Sequence, residues 1–69
     1  SIYDSNGICI ASTEGDDMYK PISSSLKDTF EKTLKTEEKE RFCSPDGASN
    51  KFLPIEVDDQ VVAVLIAIE

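Results

Sequence analysis

Four apolar residues, Ile22, Leu26, Phe30 and Leu34, recur at every fourth position and lay one stripe along a helix. Lys27, Asp28, Glu31, Lys32 and Lys35 fill the opposite side, with Asp28–Lys32 and Glu31–Lys35 spaced i,i+4. The spacing predicts a helix over Ser24–Thr36 with Ser23 as its N-cap. Ile22 then stands just outside as a staple against the first turn.

On both sides of this stripe the pattern shifts to that of strands. Ile2-Tyr3-Asp4 and Ile8-Cys9-Ile10-Ala11 flank Asn6-Gly7, a pair suited to the φ > 0 positions of a two-residue type I′ turn. That register sets Ser5 opposite Ile8, Asp4 opposite Cys9 and Tyr3 opposite Ile10, so Tyr3, Ile8 and Ile10 share the core face. Residues 12–20 (STEGDDMYK) read as a polar loop tacked to the body by Met18 and Tyr19. Beyond the helix, residues 37–43 fit either a continued helix or a strand; the favoured reading is a short strand over 39–44, with Pro45 and Gly47 as a turn.

Residues 51–57 form a further strand, which Pro54 confines to an edge or a bulge. Asp58-Asp59-Gln60 make the turn, and residues 61–68 (VVAVLIAI) are almost wholly apolar. Such a run predicts a central strand covered on both faces. One helix covers one face only. The other is expected to meet a second copy or a partner, with Val62, Val64, Ile66 and Ile68 as the interface. The predicted class is α+β: a mainly antiparallel sheet of about five strands with one main helix on one face, in the order β-β-α-β-β-β.

Length and charge narrow the function. With 69 residues the chain is a single domain, and domains of about 60 residues bury only roughly 60% of their unfolded surface. Such domains often rely on staples or on oligomerisation. The 14 acidic and 7 basic residues give a net charge of -7, the wrong sign for nucleic-acid contact by this segment. The longest apolar stretch, residues 61–68, is far short of the ~20 residues that span a bilayer. Cys9 and Cys43 are unpatterned and read as free thiols in a reducing compartment, so a cytoplasmic location is expected.

Candidate chemistry is sparse. The chain has no histidine, which removes the usual base of a nucleophile–base pair and most zinc ligands. The serine triplet 23–25 reads as capping. Gly7, Gly15 and Gly47 are too scattered to cradle a phosphate. Glu14, Asp16 and Asp17 lack the ordered loop of an EF-hand and read as a solvated loop, and Asp58-Asp59 as a turn pair. No enzyme activity, no cofactor and no metal are expected. Cys43, near Lys39 and Arg41, is the better candidate for a redox-sensitive thiol, and Cys9 reads as a small core hydrophobe. Arg41 and Lys51 read either as solvated charge or as anchors for an anionic ligand.

The Asp-ended strand Ile2-Tyr3-Asp4 runs through a turn into Ile8-Cys9-Ile10-Ala11-Ser12, followed by a Ser-initiated helix. The chain closes with Leu53-Pro54-Ile55, an acidic turn and VVAVLIAI. In this order the chain resembles the core of a GAF-type sensor domain, as found in AbrB-like transcriptional regulators. The same ending also occurs in PAS and sugar-diacid-recognition domains. The resemblance implies a non-catalytic regulatory domain that binds a small-molecule effector, forms a dimer, or both. It implies a ligand between sheet and helix, with Tyr3, Ile10, Arg41 and Cys43 as candidate contacts. GAF domains carry further helices before the first strand and after the last. The 69 residues are therefore expected to be the excised or reduced core of such a domain. The alternative is an interaction module with no ligand.

Overall fold

The four-residue stripe winds into α1 (Ser24–Thr36) in this computed structural model, which describes residues 1–13 and 15–68. Ser23 occupies the N-cap with extended backbone (φ -65°, ψ 152°), but its hydroxyl makes no capping bond and lies 3.2 Å from the Ser25 hydroxyl. The helix stops because Glu37 turns left-handed (φ 59°), its N–H still reaching the Thr33 carbonyl at 2.9 Å. Glycine is the usual residue at such a stop. The stripe points where its spacing predicts: Phe30 is buried against Phe52, Val64 and Ile66, with Ile22, Leu26 and Leu34 packed around them.

The remaining elements are β1 (Ile2–Asp4), β2 (Cys9–Ala11), β3 (Glu40–Cys43), β4 (Ser49–Val57) and β5 (Gln60–Ile68). A single 3₁₀ turn, Gly15–Asp17, lies between β2 and α1. The strands build one antiparallel sheet in the order β2-β1-β5-β4-β3. The apolar β5 is therefore central, as its composition predicts. β3 ends opposite Phe52, which leaves β4 an edge at Pro54, where proline is tolerated. A register shift follows between Ile55 and Glu56.

The first hairpin differs from its expectation. It turns through three residues, Ser5-Asn6-Gly7, rather than two. The Gly7 N–H donates to the Asp4 carbonyl and the Asp4 N–H to the Ile8 carbonyl, both at 2.9 Å. Only Gly7 (φ 80°) is left-handed there, the pattern of a type I turn closed by a glycine bulge. The cause is local: the Asp4 carboxylate accepts the Asn6 N–H at 2.9 Å and the Ile8 N–H at 3.0 Å, which holds the longer loop. The slip of one residue exchanges faces. Tyr3 pairs with Cys9, which is fully buried, and Ile10 is the extra residue before the Ile2–Ala11 pair, 45% exposed. Tyr3, Ile8 and Ile10 therefore do not share a core face.

The segment 19–22 runs along the outer edge of β2. The Tyr19 N–H donates to the Cys9 carbonyl (2.8 Å), the Cys9 N–H to the Lys20 carbonyl (3.0 Å), and the Ile22 N–H to the Gly7 carbonyl (2.7 Å). Backbone bonds thus tack this loop down. The Tyr19 ring does not, being 77% exposed on a left-handed residue (φ 65°).

α1 packs on β3, β4 and β5 from one side, tied at its flank by the Lys32–Glu40 ion pair at 3.1 Å. Val64 and Ile66 are core residues beneath it. The interface set predicted from residues 62–68 is corrected accordingly: Val64 and Ile66 face the helix, while Val62, at the register shift, and Ile68 are exposed. Strict alternation puts Ala63 and Leu65 on the opposite face, in register with Ile2, Leu53 and Ile55. A run that is apolar at every position carries no mark of which face its own helix will take.

Candidate functional site

Where α1 leaves the sheet partly uncovered, the fold opens a cleft of about 560 Å³. Tyr3 of β1, Ile66 and Ile68 of β5 and Leu26 of α1 contribute its apolar surface. Ser1, Ser12, Thr13, Asp17 and Asn50 bring polar groups, and Leu65 and Ala67 complete the lining. Three features of the sequence bring these residues together. β5 extends past the end of β1, so Ile68 emerges 82% exposed. The 3₁₀ turn Gly15–Asp17 carries Asp17 to the cleft. The paired backbones of Ser1 and Ile66, with N–H to carbonyl distances of 2.8 and 2.9 Å, hold the edge in place.

Tyr3 brings a phenol to the cleft on a ring held by the core. Its ring meets Phe30 edge-to-face, with centroids 6.4 Å apart and planes at 70°. Burial raises its phenol above the ordinary value, and the nearby Cys9 and Asp17 push it the same way. At neutral pH the hydroxyl therefore stays protonated, able to donate one hydrogen bond and to accept others.

The four predicted ligand contacts do not assemble. Tyr3 lines the cleft. Ile10 lies in the bulge of β2, outside it. Arg41 and Cys43 project from the other face of β3, since Phe42 between them packs toward the core. Arg41 stands opposite Lys51, and both border a separate hollow of about 310 Å³ with Lys39 and Glu40. The Cys43 thiol lies 3.8 Å from the Ser49 hydroxyl. Of the predicted interface residues, Ile66 and Ile68 belong to the cleft, Val64 is fully buried, and Val62 is 42% exposed near the far end of β5.

Sequence reasoning missed Ser12, Thr13, Asp17, Leu26 and Asn50 as site residues. The signal was present in part. Polar residues directly after β2 and an Asn opposite Ile68 lie at the strand ends where the helix no longer covers the sheet. Of the acidic cluster, Glu14 lies outside the described residues, Asp16 is exposed, and Asp17 is half-buried at the cleft. Among the described residues no group of three His, Cys, Asp or Glu side chains is placed to hold a metal ion. No helix among them is long and apolar enough to cross a membrane.

Compared with family models, curated proteins and solved structures, the chain matches none.

Proposed function

We propose that this chain is a non-catalytic sensor module of the GAF type, which binds a small molecule in the cleft between α1 and the sheet and serves a cytoplasmic transcriptional or signalling regulator. The observation that carries the reading is the cleft itself, an apolar surface of Tyr3, Leu26, Ile66 and Ile68 bordered by convergent polar groups. The exposed Ile68 gives a ligand apolar surface to bury, and the protonated Tyr3 hydroxyl gives it an orienting partner. Binding regulates by its differential affinity for two states of the attached assembly.

A thermal-shift screen across amino acids, sugar acids, nucleotides and amines tests this. A ligand at a hundredfold over its Kd adds about 2.7 kcal/mol of stability, a shift of many degrees in so small a domain. Ile68→Ser, at an exposed position, is expected to remove the shift while leaving the unliganded Tm nearly unchanged. Silence across all classes overturns the reading.

A second reading rests on a different observation. The sheet face away from α1 presents the half-buried Ile2, Leu53, Ile55 and Leu65, and no α-helix among the described residues covers it. Self-association through this face makes the module a dimer. Sedimentation at micromolar concentration is expected to show a dimer that Leu53→Lys converts to monomer, and a clean monomer of the parent chain rejects this reading.

A further inference from the structure

The proposed ligand cleft has few charged groups. Its lining side chains include one carboxylate, Asp17, and no lysine or arginine. The ammonium of Ser1, also at the lining, donates to the Ile66 carbonyl oxygen at 2.9 Å and is engaged in holding the strand edge. Three of the seven basic side chains, Lys39, Arg41 and Lys51, border the separate hollow beside β3. The cleft therefore offers an acidic side chain to a cation and no basic side chain to an anion.

We propose that the cleft takes a small amphipathic organic cation, an arylalkyl or alkyl ammonium, whose apolar body lies on Leu26, Ile66 and Ile68 while its charged end meets Asp17. The inference rests on the cleft being the ligand site and names the class of ligand it accepts. A carboxylate or phosphate ligand would bring its charge beside Asp17, with the hydroxyls of Ser1, Ser12, Thr13 and Tyr3 and the Asn50 amide as neutral donors. An ammonium gains the Asp17 carboxylate, the Asn50 side-chain oxygen and the Tyr3 phenol oxygen as acceptors. Burial first, then Cys9 and Asp17, raise the Tyr3 phenol, in keeping with a place for Asp17 near it.

Three indoles of nearly equal size separate charge from shape: tryptamine (cation), tryptophol (neutral) and indole-3-acetate (anion). Each is titrated into the ¹⁵N-labelled chain, with the backbone amides of Leu26, Asn50, Ile66 and Ile68 as reporters. The expected order is tryptamine, tryptophol, indole-3-acetate, with at least about a tenfold gap between first and last, since ~1.4 kcal/mol corresponds to tenfold. Asp17→Asn, and independently Asp17→Ser, should narrow that gap to about threefold or less, with tryptophol little affected. Indole-3-acetate binding at these amides as tightly as tryptamine overturns the charge inference and leaves the cleft a ligand site. If tryptamine moves only amides outside the cleft, or none of the three moves the reporters, the cleft reading fails and this inference with it.

Discussion

The hairpin joining β1 to β2 carries Asn6-Gly7, the pair best suited to a two-residue turn, yet folds through three residues. The hairpin joining β4 to β5 carries Asp58-Asp59, with no glycine, yet folds through two, with both aspartates left-handed (φ 53° and 66°) and Val57 paired to Gln60. The difference lies in what each turn closes. β4 and β5 share eight paired positions, and that ladder dictates where the chain reverses. Left-handed backbone costs roughly 1–2 kcal/mol per non-glycine residue, somewhat less for aspartate, and the ladder outweighs it. β1 and β2 share two paired positions, too few to impose a turn, so the Asp4 carboxylate and its two N–H donors decide.

The hairpin between β3 and β4 supports this account. Ser44-Pro45-Asp46-Gly47 repeats the first hairpin's geometry: Gly47 is left-handed (φ 92°), its N–H donates to the Ser44 carbonyl at 3.0 Å, and the Ser44 N–H donates to the Ala48 carbonyl at 2.8 Å. A side-chain carboxylate again organises the loop, here Asp46, which accepts the Ser44 hydroxyl and the Ala48 N–H.

The largest effect is expected where a turn also packs. A Cβ on Gly7 would sit 3.3 Å from Ile22 Cγ2 and 3.8 Å from Phe30 Cε2, whereas one on Gly47 meets open space. Gly7→Ala should destabilise by about 2 kcal/mol and Gly47→Ala by about 1 kcal/mol in urea titrations. Equal losses would show that the first turn does not lean on the helix. Next in size, Asp59→Gly should stabilise by roughly 0.5–1 kcal/mol by relieving a left-handed aspartate, despite the added freedom of the unfolded chain. A loss instead would mean that the aspartate side chain, rather than the ladder, sustains the two-residue turn.

The smallest effect is in pH. The Ser44 hydroxyl, followed by the Ala48 N–H, holds the Asp46 carboxyl below its ordinary value of 3.8. Because the folded value lies below the unfolded one, the contribution is present above pH 3.8 and is lost as pH falls through the depressed folded value. Asp46→Asn should therefore flatten the acid limb of the stability curve relative to the parent chain. Identical acid limbs would remove Asp46 from the account of this hairpin.

Much of the fold was legible because its signals are local. The Ile22–Leu26–Phe30–Leu34 spacing placed α1, and the Ser44–Gly47 cluster separated β3 from β4. The candidate site was legible only at Tyr3. The resemblance groups Arg41 and Cys43 with Tyr3, but alternation along β3 turns them to the opposite face. Ile10 leaves the core face through a one-residue slip set by the Asp4 carboxylate, a signal that the Asn6-Gly7 pair masks.

The sequence by itself determined α1, the strands of the first and last hairpins, and that β5 is central, but left residues 37–43 open between helix and strand. The determined elements follow from periodicity. Only the tertiary structure decided which face that helix takes, which register the first hairpin adopts, and hence that Tyr3, Asp17, Asn50 and Ile68 meet around one cleft. The reason is physical: in a strand apolar at every position, both faces satisfy the hydrophobic pattern equally, and packing against Phe30 and Phe52 breaks the tie.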